Sequence, residues 1–118
     1  MLHNSLSELY QNSKGTTWQC DLTHRIFLKF GETLTAFKVQ DFFAFRRKVN
    51  RVNIHEMIFN LSDDYDYELV EDPRHNFSHK LTLCEIVQLR DLLDGTKFSI
   101  DMNSMLHEVL GEVELVIQ

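Results

Sequence analysis

One proline, four glycines and two cysteines in 118 residues leave little to punctuate or staple this chain. Two cysteines cannot build the disulfide framework that small secreted domains rely on, so Cys20 and Cys84 are expected to stay reduced. Long apolar runs are missing too, which excludes a membrane-spanning helix. The opening MLHNSLSELYQ has no charged-then-apolar leader, so the expectation is a cytoplasmic protein. Basic charge is scarce: 12 Lys and Arg against 18 Asp and Glu give a net charge of −6. That balance argues against a chain-wide electrostatic footprint for nucleic acid, and neither nucleic acid nor membrane is expected as a partner. Gly15, Gly31, Gly95 and Gly111 are too scattered for a dinucleotide or phosphate-binding loop, and no Gly-x-Ser-x-Gly elbow occurs.

What is present is a core. Nine phenylalanines, 43% hydrophobic and 25% charged residues are globular values for one domain spanning 1–118. The most informative pattern is a segment that recurs 44 residues on: FKVQDFFAFRRKVN at 37–50 and LTLCEIVQLRDLLD at 81–94. Phe37/Leu81, Val39/Leu83, Asp41/Glu85, Phe42/Ile86, Phe45/Leu89 and Arg46/Arg90 match in chemical type. Self-similarity of this kind predicts architecture before local structure does. Around it, the chain reads as two ββα-like units, 24–62 and 65–110, packed about one core. The fold class is α+β, with short extra helices. A lone hairpin is marginal in water, so two units that pack together are the physical solution.

Residues 1–16 hold Leu2, Leu6, Leu9 and Tyr10 at helical spacing, either a short helix or a frayed tail. From residue 24 the period becomes two: Ile26, Leu28 and Phe30 alternate with Arg25, Phe27 and Lys29. Gly31 then turns the chain into a second strand over 33–39. A helix follows over 40–51, its stripe formed by Phe42, Phe45, Val49 and Val52. A shorter helix covers 54–61 and a loop 62–64. The second unit has strands at 65–70 and 77–81 around Pro73. Its helix is capped by Thr82 with Glu85 in a capping box and is ended by Gly95. A short strand at 97–100, a helix capped by Asp101 or Asn103 and closed by Gly111, and a strand at 112–118 complete the expectation. The predicted core includes Ile26, Leu28, Phe30, Leu34, Phe42, Phe45, Val49 and Leu69. It continues with Leu81, Leu83, Ile86, Leu89, Leu93, Leu106, Val109 and Leu110.

Chemistry-bearing residues are few. Cys20 and His24, with His75 and His79, have the C-x3-H and H-x3-H spacings of small zinc sites. On a single strand, however, His75 and His79 stand about 13 Å apart, at ~3.3 Å per residue, so one zinc holds both only if His75 lies in the loop. The simpler account is a histidine on a polar strand face and a small apolar cysteine. Arg46, Arg47, Lys48 and Arg51 form a basic cluster; Asp63, Asp64, Asp66, Glu68, Glu71 and Asp72 form an acidic run. Patch meeting patch, within the chain or across a dimer, accounts for both better than phosphate binding or a calcium loop does.

The signature Trp18-x-Cys20-x-x-x-His24-x-Ile26-x-Leu28-x-Phe30-Gly31, with the later Leu81-Thr82-x-x-Glu85-x-x-x-Leu89-Arg90-x-Leu92-Leu93-x-Gly95, resembles a family of small uncharacterised bacterial proteins over residues 18–110. The resemblance rests on core and turn residues and implies no activity.

The functional expectation is therefore a non-enzymatic interaction or regulatory module. Its rival is a small metal-binding protein or hydrolase built on Cys20, His24, His75 and His79, with zinc as the cofactor. Phe27, Phe37, Phe43 and Trp18 fall outside the inner stripes, and monomers rarely leave several aromatics uncovered. A homodimer burying Trp18, Phe27 or Phe43 at its centre is the expected assembly.

Overall fold

A computed structural model describes the backbone of residues 6–60 and 66–117, and side chains as far as residue 106. The alternating stretch at Ile26–Phe30 is the third of four antiparallel strands: β1 (Leu6–Gln11), β2 (Gly15–Cys20), β3 (Ile26–Phe30) and β4 (Thr33–Phe37). They form a meander in the order β1-β2-β3-β4. Gly31 joins β3 to β4 with φ 59°, a value that favours glycine, and Phe30 pairs with Thr33 across the turn. Helix α1 (Val39–Asn50) follows, then α2 (Ile54–Phe59), whose first turn is capped by the Asn53 side chain accepting from the Glu56 N–H at 3.0 Å. A second sheet pairs β5 (Tyr67–Asp72) with β6 (Phe77–Thr82) around a 3₁₀ turn at Pro73–His75, and α3 (Leu83–Ile117) ends the described chain. The class is α+β, and the order strand–strand–helix occurs twice, as β3-β4-α1 and β5-β6-α3.

The inner face of the four-stranded sheet carries Leu9, Thr17, Ile26, Leu28, Phe30, Thr35 and Phe37, all buried. Helix α1 covers it with Phe42, Phe45 and Val49, and α3 with Ile86, Leu89, Leu92 and Leu93. These apolar side chains form one cluster with Val70, Phe77 and Leu81 from the second sheet. The residues that alternate with them, including Glu8, Lys29, Leu34 and Ala36, lie on the opposite face and are exposed.

Several expectations are corrected. Residues 6–11 form a strand, not a helix. A bulge between Glu8 and Tyr10 changes the pairing phase, which turns adjacent Leu9 and Tyr10 toward the core and imitates helical spacing. In β4 and β5 the phase is opposite to the expectation. Thr35, Phe37 and Val70 face inward, whereas Leu34 is 64% and Leu69 54% exposed. Phe37, expected as spare apolar surface, is fully buried. Leu9, Val70, Phe77 and Leu92 join the core unanticipated, Leu83 is half-buried, and Leu106 is 52% exposed. The side chains of Val109 and Leu110, the loop at 62–64, and Asp63 and Asp64 of the acidic run lie outside the described residues.

The largest correction concerns α3. Gly95 and Gly111 do not end helices, residues 97–100 and 112–117 are not strands, and neither Asp101 nor Asn103 caps anything: one helix of 35 residues runs through all of them. Gly95 serves packing instead. A Cβ there would stand 2.5 Å from the Tyr10 ring, so the glycine lets β1 and α3 approach. The helix start agrees with the capping box: the Glu85 N–H donates to Thr82 Oγ1 at 3.3 Å, and the Thr82 N–H donates to the Glu85 carboxylate at 3.0 Å.

Candidate functional site

The four residues with zinc-like spacing fall in separate surroundings. Cys20 ends β2, and His24 sits in the following tight loop at φ 60°, its N–H donating to the Cys20 carbonyl at 2.8 Å. His79 lies on β6, with Nε2 2.7 Å from the Thr33 hydroxyl and its ring 4.7 Å from that of Phe77. His75 belongs to the 3₁₀ turn and packs its ring 4.5 Å from Phe37. The loop placement that a shared zinc requires for His75 is thus met. Even so, among the described residues no group of three or more His, Cys, Asp or Glu side chains is placed to hold a metal ion.

His75 is the centre of a different arrangement. Pro73 starts the turn and Asn76 ends it in the left-handed conformation, at φ 57°. This swings His75 back toward Asp72 and across to α1. Nδ1 lies 2.9 Å from the Asp72 carboxylate, and Nε2 lies 3.5 Å from that of Asp41, with the side chain only 12% exposed. Arg74 stands 3.8 Å from Asp41, and the Lys48 ammonium donates to the Glu71 carbonyl. Together with Ala44 and Phe45 these groups line a cleft of about 200 Å³. Each charged group in it already faces an opposite charge or a backbone carbonyl. The network therefore fastens the β5–β6 turn to α1. The Asp72/His75 spacing is visible in the sequence; the approach of Asp41 is not, because it depends on how the second sheet docks.

The expected interface residues divide. Trp18 and Phe27 are paired directly across β2 and β3, half-buried against each other on the outer face of the sheet. Phe43 is elsewhere: it packs beside Phe42 on α1, with the Lys97 ammonium 5.7 Å from its ring centre. The row through Trp18 and Phe27 continues to Ala36 of β4, and exposed Leu34 stands nearby on the same face.

A second apolar surface went unanticipated. The first half of α3 is tied to the body. Tyr10 donates its hydroxyl to Asp91 at 3.0 Å, and that bond, ahead of burial and the carboxylate's charge, holds the phenol above its ordinary range. Thr96 and Thr17 share a buried hydroxyl contact of 2.6 Å, and Ser99 donates to the Leu9 carbonyl at 2.7 Å. Beyond Ile100 the burial ends among the described residues: 101–106 are exposed without exception. Six consecutive positions at 100° each pass more than once round the helix, so α3 stands clear of the body there. On that stretch and just before it, Phe98 is 65%, Met102 40%, Met105 61% and Leu106 52% exposed. In sequence the pattern is hidden, because Leu106 lies at the helical spacing of a core residue.

Among the described residues no helix is long and apolar enough to cross a membrane. Compared with protein-family models, with curated proteins and with solved structures, the chain matches none.

Proposed function

We propose that this chain is a non-enzymatic interaction module that works as a homodimer. The observation carrying the proposal is the stretch of α3 that leaves the body while bearing Met102, Met105 and Leu106 in the open. A helix in a protein takes most of its stability from packing an apolar face rather than from propensity alone. Among the described residues the core reaches no further along α3 than Ile100, which supports a partner from outside the chain. The Trp18–Phe27 row is a second uncovered surface on the same molecule, and a twofold axis covers two such surfaces at once. The self-satisfied charges around His75 fit a structural role for the polar cleft. Sedimentation at micromolar concentration tests the proposal. The expected result is a species of about twice the 14.0 kDa chain mass, and a persistent 14 kDa species would remove it.

A further inference from the structure

We infer that the homodimer forms by reciprocal docking, with the projecting part of α3 from one copy lying across the outer face of the four-stranded sheet of the other. This inference rests on the self-association proposed above and specifies its geometry.

The two surfaces fit in size. Residues 101–117 of α3 form a rod of about 25 Å at ~1.5 Å per residue. The strands beneath, of five or six residues, are about 17–20 Å long at ~3.3 Å per residue. A helix laid on an open sheet is the ordinary way for such a face to be covered.

They also fit in charge. Between residues 101 and 117 the sequence carries Asp101, Glu108, Glu112 and Glu114 and neither lysine nor arginine. By strand alternation the outer face carries Lys29 and Glu8, with Arg25 just before β3 and Glu32 in the turn after it, so the bases cluster on β3. Pairing two copies of the acidic helix with each other would set carboxylates against carboxylates. Pairing helix with sheet sets them against Lys29 and Arg25.

Docking within one chain is excluded by the path of α3. Its anchors, Thr96 to Thr17 and Ser99 to the Leu9 carbonyl, hold it on the inner side of β1 and β2. The backbone stays helical from there to Ile117. A continuous helix curves only gently and does not wrap round an edge strand to reach the other face. The surface is therefore met by the helix of a second copy.

The test uses two substitutions at exposed positions, Leu106→Glu on the helix and Ala36→Glu on the sheet, each checked for a cooperative melt. Sedimentation across concentration is then measured for the wild type, each variant alone, and their equimolar mixture. Each variant alone is expected to associate at least about tenfold more weakly, because Leu106→Glu replaces an apolar contact side chain by a charge that must be desolvated and Ala36→Glu sets a carboxylate against the acidic helix. The mixture is expected to associate more tightly than either variant. In a mixed dimer the intact helix of the Ala36→Glu copy meets the intact sheet of the Leu106→Glu copy, so one contact of two is whole. A dimer insensitive to Ala36→Glu, one insensitive to Leu106→Glu, or a mixture no tighter than its components overturns reciprocal docking and leaves self-association standing. A wild-type monomer overturns both. Met105→Glu and Lys29→Glu repeat the comparison at independent positions should either first variant fail to fold.

Discussion

Thr82 and Glu85 show how two side chains can fix the start of the longest element in the molecule. Thr82 Oγ1 accepts the Glu85 N–H and donates to the Glu85 carboxylate at 3.1 Å, while the carboxylate also accepts the Thr82 N–H. The bond from the Thr82 N–H, helped by the Thr82 hydroxyl and the charges of Lys14 and His79, holds the Glu85 carboxyl below its ordinary value of 4.5 despite partial burial. A carboxyl depressed in the folded state adds stability above the unfolded value and loses it as the pH falls through the lower folded one. The wild type is therefore expected to lose capping stability as the pH falls below 4.5. Glu85→Gln should start less stable at neutral pH and show a flatter acid limb. Urea midpoints measured against pH check this; parallel limbs for the two proteins would show that the bond carries no pH-linked stability. This pair was legible in the sequence because a capping box is local, complete within four residues, and independent of tertiary contact.

At the scale of elements, legibility follows whether the deciding contact is local. The β3–β4 hairpin, α1 and α2 agree with the sequence because their signals, a glycine at positive φ and apolar residues at fixed spacing, lie within each element. Strand phase in β4 and β5 is not legible in the sequence because both phases offer apolar side chains, and only the docked helices decide between Leu34 and Phe37. The full length of α3 is masked in the sequence because Gly95 resembles a terminator, whereas what it answers to is Tyr10, distant by 85 positions in the chain. The end of α1 is likewise set from afar. The half-buried Arg90 guanidinium donates to the carbonyls of Asn50 at 2.9 Å and Val52 at 2.5 Å, groups that a helix end leaves unpaired. The exposed apolar turn of α3 was missed for the same reason, since exposure is a property of where the body ends. Gly95→Ala tests the account of α3 directly. Replacing a mid-helix glycine by alanine ordinarily stabilises by about 1 kcal/mol. Here the new methyl meets a ring whose hydroxyl is held by Asp91, and overpacking of this kind costs about 1–3 kcal/mol. Net destabilisation in chemical unfolding is expected; a stabilised variant would mean that Tyr10 moves aside without cost.

The whole molecule depends on how its two sheets are joined, since among the described residues no strand pairing links them. The joint is an aromatic seam. Phe77 of β6 stands 6.3 Å from Phe30 and 5.0 Å from Phe45, and Phe37 stacks 5.2 Å from Phe45 and 4.5 Å from His75. The His75 hydrogen bond to Asp72 and its approach to the Asp41 carboxylate close one end of this seam, and the His79–Thr33 bond closes the other. A two-stranded hairpin has little stability of its own, so β5 and β6 stay folded because Phe77, Val70 and Leu81 are buried against the larger body. Phe77→Ala removes the ring at the centre, and its expected cost is about 3–5 kcal/mol from lost transfer and the cavity left behind. The loss should be uneven. Amide exchange in β5 and β6 is expected to accelerate more than exchange in β2 and β3, because the four-stranded meander keeps its own ladder and its cover from α1 and α3. If all strands lose protection equally in hydrogen exchange, the hairpin is not a separately docked unit, and both sheets open together.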